Sequence, residues 1–506
     1  MRRLPVGLRD VRVALGVVVG MLLAGFLIPL ASREPKATNV ASGQRGSTAS
    51  ARGATGSGGA AASAGPGSAT DAGGGATPAG AAVAGGGSAG AAGAAGGPAA
   101  NVEKTASDQG VTPDGITLGV ALANLDYLSK TGVAATNGTV ADRTKVWQAL
   151  VDDANSHGGA AGRKINLVVH DFDPLTASSG TDVCRQHAED DKVFATITDV
   201  GIAEPQALCY TRQYGIPIIV YDAQDITTYD QSGGLLFTTM PTNDRIVYDH
   251  VTALHEHGYL QGKTIGLVTT AQGGSKAPDR TEIPRLEALG YHIAHRSDLS
   301  DDIPTAQSQI PVEINQMRSA GVNFIIWEGG PTYSNVWLNQ AQKTGYNPTY
   351  SFDELGSGTD DFSFQTVSNQ IDGYGWGVRR RADRHTDAPT APSDQACTDK
   401  AIQGSGIQMP RTSDLYWDTT EYCSQLSAFV DAANAAGVNP TRDGFASVFA
   451  NLGQRPDIET GPAGVGGSWV PGKPDAPDFQ RELHHDPSCR CFKPSGDWFP
   501  LPQLGG

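Results

Sequence analysis
Several residue types able to recognise a ligand stand at equivalent places along this chain, just beyond short apolar runs. Asp199 and Gly201 follow FATIT (194–198), Asp222 and Gln224 follow IPIIVY (216–221), and Asp353 and Glu354 follow TYSF (349–352). Asn124 and Tyr127 come after ITLGVAL (116–122), and Gln272 after TIGLVTT (264–270). Trp327 lies in NFIIWEG (323–329), with Tyr333 just beyond it. If the runs are parallel strands, these residues gather at one end, because open parallel sheets bind ligands beyond the carboxyl ends of their strands. Carboxylates, amides and aromatic rings together suit a polar ligand with cationic or hydroxyl groups: an amine, an amino acid, a sugar or a peptide. Each residue also has a plainer role available. Asp222 can cap the helix that follows, and Trp327 can belong to a core.

The elements that would position these residues alternate in period. ADRTKVWQALVDDANSH (141–157) carries Val146, Trp147, Leu150, Val151 and Ala154 at helical spacing, an apolar stripe opposite polar residues. Gly158 and Gly159 stop it, since glycine accepts the left-handed conformation of a helix C-cap. KINLVVHD then reads as a buried strand. The same alternation over 111–240 and again over 241–356 predicts βαβ units and two parallel sheets, each covered on both faces. The strand IDGYGWGV (371–378) and helices near 417–436 and 442–452 are assigned to the first lobe, making 357–470 a return to it. Residues 471–506 are expected in the second lobe or the hinge. The fold class is therefore α/β, with two doubly wound parallel-sheet lobes and a hinged interlobe cleft.

Composition sets the compartment and excludes some partners. A formal net charge of −16 over 506 residues argues against nucleic acid, whose phosphates need clustered Lys and Arg. The one basic run, Arg379, Arg380 and Arg381 with Arg384, reads as a solvated loop. Residues 1–32 hold Arg2, Arg3, Arg9 and Arg12 ahead of the uncharged run VALGVVVGMLLAGFLIPLA (13–31). That length predicts a membrane anchor or an unusually long signal sequence, with the arginines cytoplasmic and the rest of the chain outside. Residues 33–110, Gly/Ala/Ser-rich, predict a flexible tether.

All six cysteines lie beyond it, consistent with an oxidising exterior. Cys184 with Cys209 and Cys397 with Cys423 are the expected disulfides, each worth about 3 kcal/mol in the chain-entropy model. Cys489 and Cys491 form either a small ring or, with His484 and His485, a zinc site; the spacing fits no standard ligand pattern, and no metal or cofactor is assigned.

Taken in order, VTPDGITLGVAL, ANSHGGAAGRKINLVVHDFD and FTTMPTNDRIVYDHVTALHEHGY resemble the type 1 periplasmic binding fold, and within it the branched-chain amino-acid (Leu/Ile/Val) binding family of ABC-transporter solute-binding proteins. The pattern spans about residues 111–378. Cys184 and Cys209 also resemble the family in tying the second helix to the following segment. The resemblance implies an extracytoplasmic protein, anchored or secreted, that captures a small molecule between its lobes and delivers it to an ABC permease. It departs at the binding loops. TDVGIAEP (198–205) has acids where the family has serine or threonine to grip a carboxylate, and AQGGSKAP (271–278) stands where a tyrosine-glycine pair is frequent, so a changed ligand is implied. A membrane-tethered sensor acting through a partner is the alternative. No G-x-S-x-G, P-loop, H-E-x-x-H or G-x-G-x-x-G motif points to an enzyme; a cleft hydrolase using Asp199 and Asp353 is the residual enzymatic reading.

Overall fold
The computed structural model describes residues 102–126, 138–174, 176–270, 275–300, 302–354, 359 and 372–504. The predicted anchor, nearly all of the tether, Tyr127 and Gln272 lie outside them. No helix among the described residues is long and apolar enough to cross a membrane.

The first joint forms as its residues dictate. Thr139 and Asp142 close a capping box at the start of helix α1 (Val140–Ser156), which buries Val146, Trp147, Leu150 and Val151. Beyond it the chain turns at Gly159, whose φ is +68°; a Cβ there would meet the Arg163 carbonyl oxygen at 1.9 Å, so only glycine fits.

Strands β1 (Gly115–Ala123), β2 (Lys164–Phe172), β3 (Ala195–Thr198), β4 (Ile218–Val220) and β5 (Leu236–Thr238) make a parallel sheet ordered β2-β1-β3-β4-β5. The order reverses beside β1, the kind of switch point where open sheets bind ligands. The second sheet holds β6 (Ile265–Thr270), β7 (Ile293–Leu299), β8 (Phe324–Glu328), β9 (Thr349–Phe352), β10 (Gly373–Gly377), β13 (Phe479–Asp486) and β14 (Cys491–Pro500) in the order β14-β13-β10-β9-β8-β6-β7, while β11 (Gly453–Arg455) and β12 (Gly467–Trp469) pair with each other. Here the expected assignment needs correction. The strand over 371–378 pairs in parallel with β9 and antiparallel with β13, so it extends the second sheet, not the first. Its alternate glycines explain the placement: a Cβ on Gly375 would meet Phe492 at 2.9 Å and one on Gly377 would meet Leu483 at 3.0 Å. The chain returns to the first lobe after Val378, where the helices Pro392–Ser405, Asp414–Ala435 and Arg442–Phe449 put Ala401, Phe429 and Phe445 into one core with Trp147 and Ile197.

Cys184–Cys209 and Cys397–Cys423 are disulfides, and so is Cys489–Cys491. That last bond takes up the two thiols a zinc site would have needed.

The lobes also meet beside the hinge. Asp225, which opens a short helix (Ile226–Gln231) of the first lobe, accepts from Ser275 Oγ at 2.7 Å and the Lys276 amide at 2.8 Å, both past β6 in the second. Asn243 Nδ2 donates to it at 2.7 Å and Arg280 pairs with it at 2.8 Å. Asp225→Ala is expected to cost about 1.5–3 kcal/mol in urea unfolding and to raise amide exchange around 275–282. Unchanged exchange there would show that Asp225 does not tie the lobes.

Candidate functional site
The carboxyl ends of both sheets converge on a network of buried charge. In the first lobe Asp199, just past β3, pairs with Arg143 of α1, which also donates to the Ala123 carbonyl; Tyr422 Oη stands 3.4 Å from the Asp199 carboxylate. Asp222, just past β4, accepts from the amides of Gly201 at 2.5 Å and Ile202 at 3.1 Å, and Gln224 Nε2 donates to the Ile202 carbonyl at 2.8 Å. Gly201 has a φ of +89°, which places its amide toward Asp222 in a conformation side chains resist. Asp222 and Gln224 thus build the loop after β3 rather than cap a following helix.

Between the lobes runs the basic segment, and the expectation of a solvated loop is overturned. Arg379, Arg380 and Arg384 are buried, the latter two in a 3-10 helix (Arg380–His385). Arg379 Nε donates to Glu354 Oε2 at 2.6 Å, past β9 of the second lobe, and Nη1 donates to the Tyr221 hydroxyl of the first. Arg381 reaches Asp418 and Asp414, each at 2.8 Å, and Arg384 reaches Asp414 at 2.6 Å. Arg380 forms a bidentate pair with Asp394 at 2.6 and 2.8 Å. These arginines are buried because their carboxylate partners are buried with them, each fork answered by an oxygen. A small pocket, partly open to solvent, is lined by Glu354, Thr359, Arg379, Arg381, Arg384 and Phe492.

Carboxylates outnumber guanidiniums here. Asp414, Asp418 and Glu421 lie along one face of the helix Asp414–Ala435, and Asp199, Asp222, Glu354 and Glu459 surround Arg143, Arg379, Arg381 and Arg384. Burial pushes the carboxyls of Asp222 and Glu421 up to about 7 and that of Asp418 up to about 6.

Of the expected ligand residues, the structure gathers Asp199, Gly201, Asp222, Gln224 and Glu354 at this network. Asn124 is turned to Asp171 at 2.8 Å. Trp327 and Tyr333 pack into the second lobe's core, Trp327 donating to the Gly329 carbonyl at 2.7 Å. Asp353 faces His250, 3.2 Å away. Sequence reasoning missed Arg143, Tyr221, Arg379, Arg381, Arg384 and the acidic face of Asp414–Ala435. A signal existed for the last: Asp414, Asp418, Glu421, Tyr422 and Gln425 recur at helical spacing along one helix.

The architecture can be matched outside this chain. Solved structures at low identity share it. A branched-chain amino-acid ABC transporter protein from Thermus thermophilus with bound valine is 15% identical, covering 76% of this chain and 96% of its own, with a TM-score of 0.57. An ABC-transporter solute-binding protein from R. palustris in complex with 4-hydroxybenzoate is 12% identical, covering 78% and 99%, with a TM-score of 0.58. A fatty acid ABC transporter substrate-binding protein from Thermomonospora curvata is 15% identical, covering 78% and 93%, with a TM-score of 0.53. No curated protein matches by sequence. The family model described as periplasmic binding protein matches residues 141–468, from α1 to the strand Gly467–Trp469 that follows the last helix of the first lobe. By that match over more than half its length, on two lobes joined at their carboxyl strand ends, the chain belongs to the periplasmic binding protein family.

Proposed function
We propose that this chain is an extracytoplasmic solute-binding protein, presented on its N-terminal tether, that captures a small polar ligand between its lobes and delivers it to an ABC permease. Family membership supports the class of function. The observation that carries the ligand chemistry is the excess of buried carboxylate over guanidinium where the lobes meet. An anionic solute would meet unfavourable charge there. A solute bearing an amine or another cationic group, together with hydroxyls, would supply the charge that is short. Contacts drawn from both lobes exist only in the closed state, so binding would shift the population toward it.

The test is thermal melting of the protein against amines, basic amino acids, sugars, peptides and carboxylic acids; a ligand at 100 times its dissociation constant adds about 2.7 kcal/mol. A hit confined to carboxylic acids would sink the charge argument. Ligand turnover in the same incubation would point to the hydrolase, and unimpaired uptake after deletion of the chain would favour the sensor.

The pH dependence has a worked sign. Asp222, Glu421 and Asp418 have folded pKa values of about 7, 7 and 6, above the ordinary carboxylate range. Their contribution to stability is full below pH 4 and is withdrawn as pH rises through those values. These three groups should therefore withdraw stability from the unliganded protein between about pH 4 and 7. A bound cation favours the ionised carboxyls, so the ligand-induced shift should grow over the same interval and binding near pH 6.5 should release protons. Calorimetry in buffers of different ionisation enthalpy reads that release; proton uptake on binding would contradict the reading.

A further inference from the structure
A second cluster of titratable groups lies inside the second lobe and takes no part in the network between the lobes. Glu328 ends β8, Ser351 lies in β9 and Asp353 follows it, His250 comes from the helix Asn243–Glu256, and Glu282 ends the turn Pro278–Glu282. All are essentially closed to solvent: His250 and Asp353 are 1% exposed, Glu328 3% and Glu282 0%. His250 Nδ1 stands 2.9 Å from Glu328 Oε1 and 3.2 Å from Asp353 Oδ2, while Nε2 stands 2.5 Å from Ser351 Oγ. Glu328 Oε2 and both oxygens of Glu282 have no hydrogen-bond partner, and the Glu282 carboxylate lies within electrostatic reach of Glu328, His250 and Asp353.

Three carboxyls and one imidazole buried together can stay ionised only beside a compensating cation and otherwise must hold protons, because an uncompensated buried anion costs several kcal/mol. From the convergence of His250 Nδ1, Glu328 Oε1 and Asp353 Oδ2, we infer that this cluster binds one divalent transition cation, of the Zn²⁺ or Mn²⁺ class. Bonds of about 2.0–2.1 Å in a tetrahedral or octahedral shell put neighbouring donors about 3 Å apart, which is the spacing of His250 Nδ1 from each of the two carboxylate oxygens. The Nε2–H of His250, donating to the Ser351 hydroxyl, fixes the tautomer that leaves Nδ1 free to coordinate. Glu282 supplies a further oxygen or balances the ion's second charge. One nitrogen with hard oxygens suits Zn²⁺ or Mn²⁺; Cu(I) prefers sulfur, and Ca²⁺ collects six to eight oxygens. The site joins β8, β9 and two helical elements, so the ion would brace the second lobe rather than touch the solute.

The competing arrangement is a pair of shared protons, and the two are separable. The full chain, free of any metal-binding tag, would be refolded with EDTA and then with Zn²⁺, Mn²⁺ or Ca²⁺, and analysed for metal content and melting temperature. About one equivalent of Zn²⁺ or Mn²⁺ per chain, with a raised melting temperature, is expected. Glu328→Gln should abolish retention, and Ser351→Ala should weaken it about tenfold or more. Background metal in the reconstituted wild type would overturn the inference, as would Glu328→Gln melting at or above wild type without binding less metal. If that variant does not fold, the wild-type stoichiometry and the Ser351→Ala affinity still decide.

Discussion

Replacing Arg379 by alanine is expected to remove about 3–5 kcal/mol of stability, because it takes the guanidinium from beside a buried carboxylate that the rest of the site already crowds with acids. Arg379 joins the lobes through one planar group: Nε holds Glu354 beyond β9, and Nη1 holds the hydroxyl of Tyr221 beyond β4. Its loss takes the guanidinium from Glu354, to which the Val378 amide also donates at 3.1 Å, and raises the field of like charge on Asp222 and Glu421. Arg379→Lys should recover only part of the loss, since an ammonium cannot serve both partners with one fork. The denaturation midpoint of Arg379→Ala reads the effect, and the pairing is isolated by a double-mutant cycle of Arg379→Met with Glu354→Gln. A loss below about 1 kcal/mol, or additivity in the cycle, would mean that the contact contributes nothing specific to the join. Since the same residue sits where the solute is proposed to bind, ligand-induced stabilisation should also fall in the lysine variant, which keeps the fold better.

The visibility of Arg379 from sequence was poor for a definite reason. A run of three arginines and a fourth three positions on reads as solvated when only neighbours are considered, yet the groups that neutralise it are Glu354, Asp394, Asp414 and Asp418, brought in from other elements. Local patterning carries information about which face of an element is apolar; it carries none about which charge meets which after folding. The alternation of strands and helices was legible because burial on both faces leaves long apolar runs, as in β1, β6 and β8. The strand GYGWG was legible as a strand but not as a member of the second sheet. What assigns it is the close approach of Leu483 from β13 and Phe492 from β14, elements more than a hundred residues later. Among the ligand candidates, position at a strand end was readable, and orientation was not. Asp199, Asp222 and Glu354 join the charged network, whereas Trp327 and Tyr333, also near a strand end, turn into the core.

Arg245→Ala is the second change expected to cost about 3–5 kcal/mol, and it acts on the hinge rather than on the site. The chain crosses between lobes at 239–242, after Val378, and at 470–478. Arg245, buried near the start of the helix Asn243–Glu256 just past the first crossing, ties it to the third and to the C-terminal segment: Nη1 donates to Asp475 at 2.6 Å and to the Pro477 carbonyl at 2.9 Å, Nη2 to the Leu501 carbonyl at 2.7 Å, and Nε to the Pro502 carbonyl at 2.7 Å. The Asp475 carboxylate also accepts from the Thr242 amide at 3.0 Å, and Thr238 bridges to Asp475 through the backbone. Removing the guanidinium strips several buried acceptors of their donor at once, and buried acceptors without donors are expensive. Because the crossings are where closure must bend, the variant should do more than lower the denaturation midpoint: amide exchange should rise across 470–478 and 499–504, while the strands at the centre of each sheet keep their protection. Ligand affinity should weaken as well, since a looser hinge lowers the fraction of protein already near the closed arrangement, and apparent affinity falls by that fraction. If exchange rose evenly over both lobes instead, Arg245 would be a general stabiliser, and the join would have to be sought in the Glu354–Arg379–Tyr221 contact and in those of Asp225 with Ser275, Lys276 and Arg280.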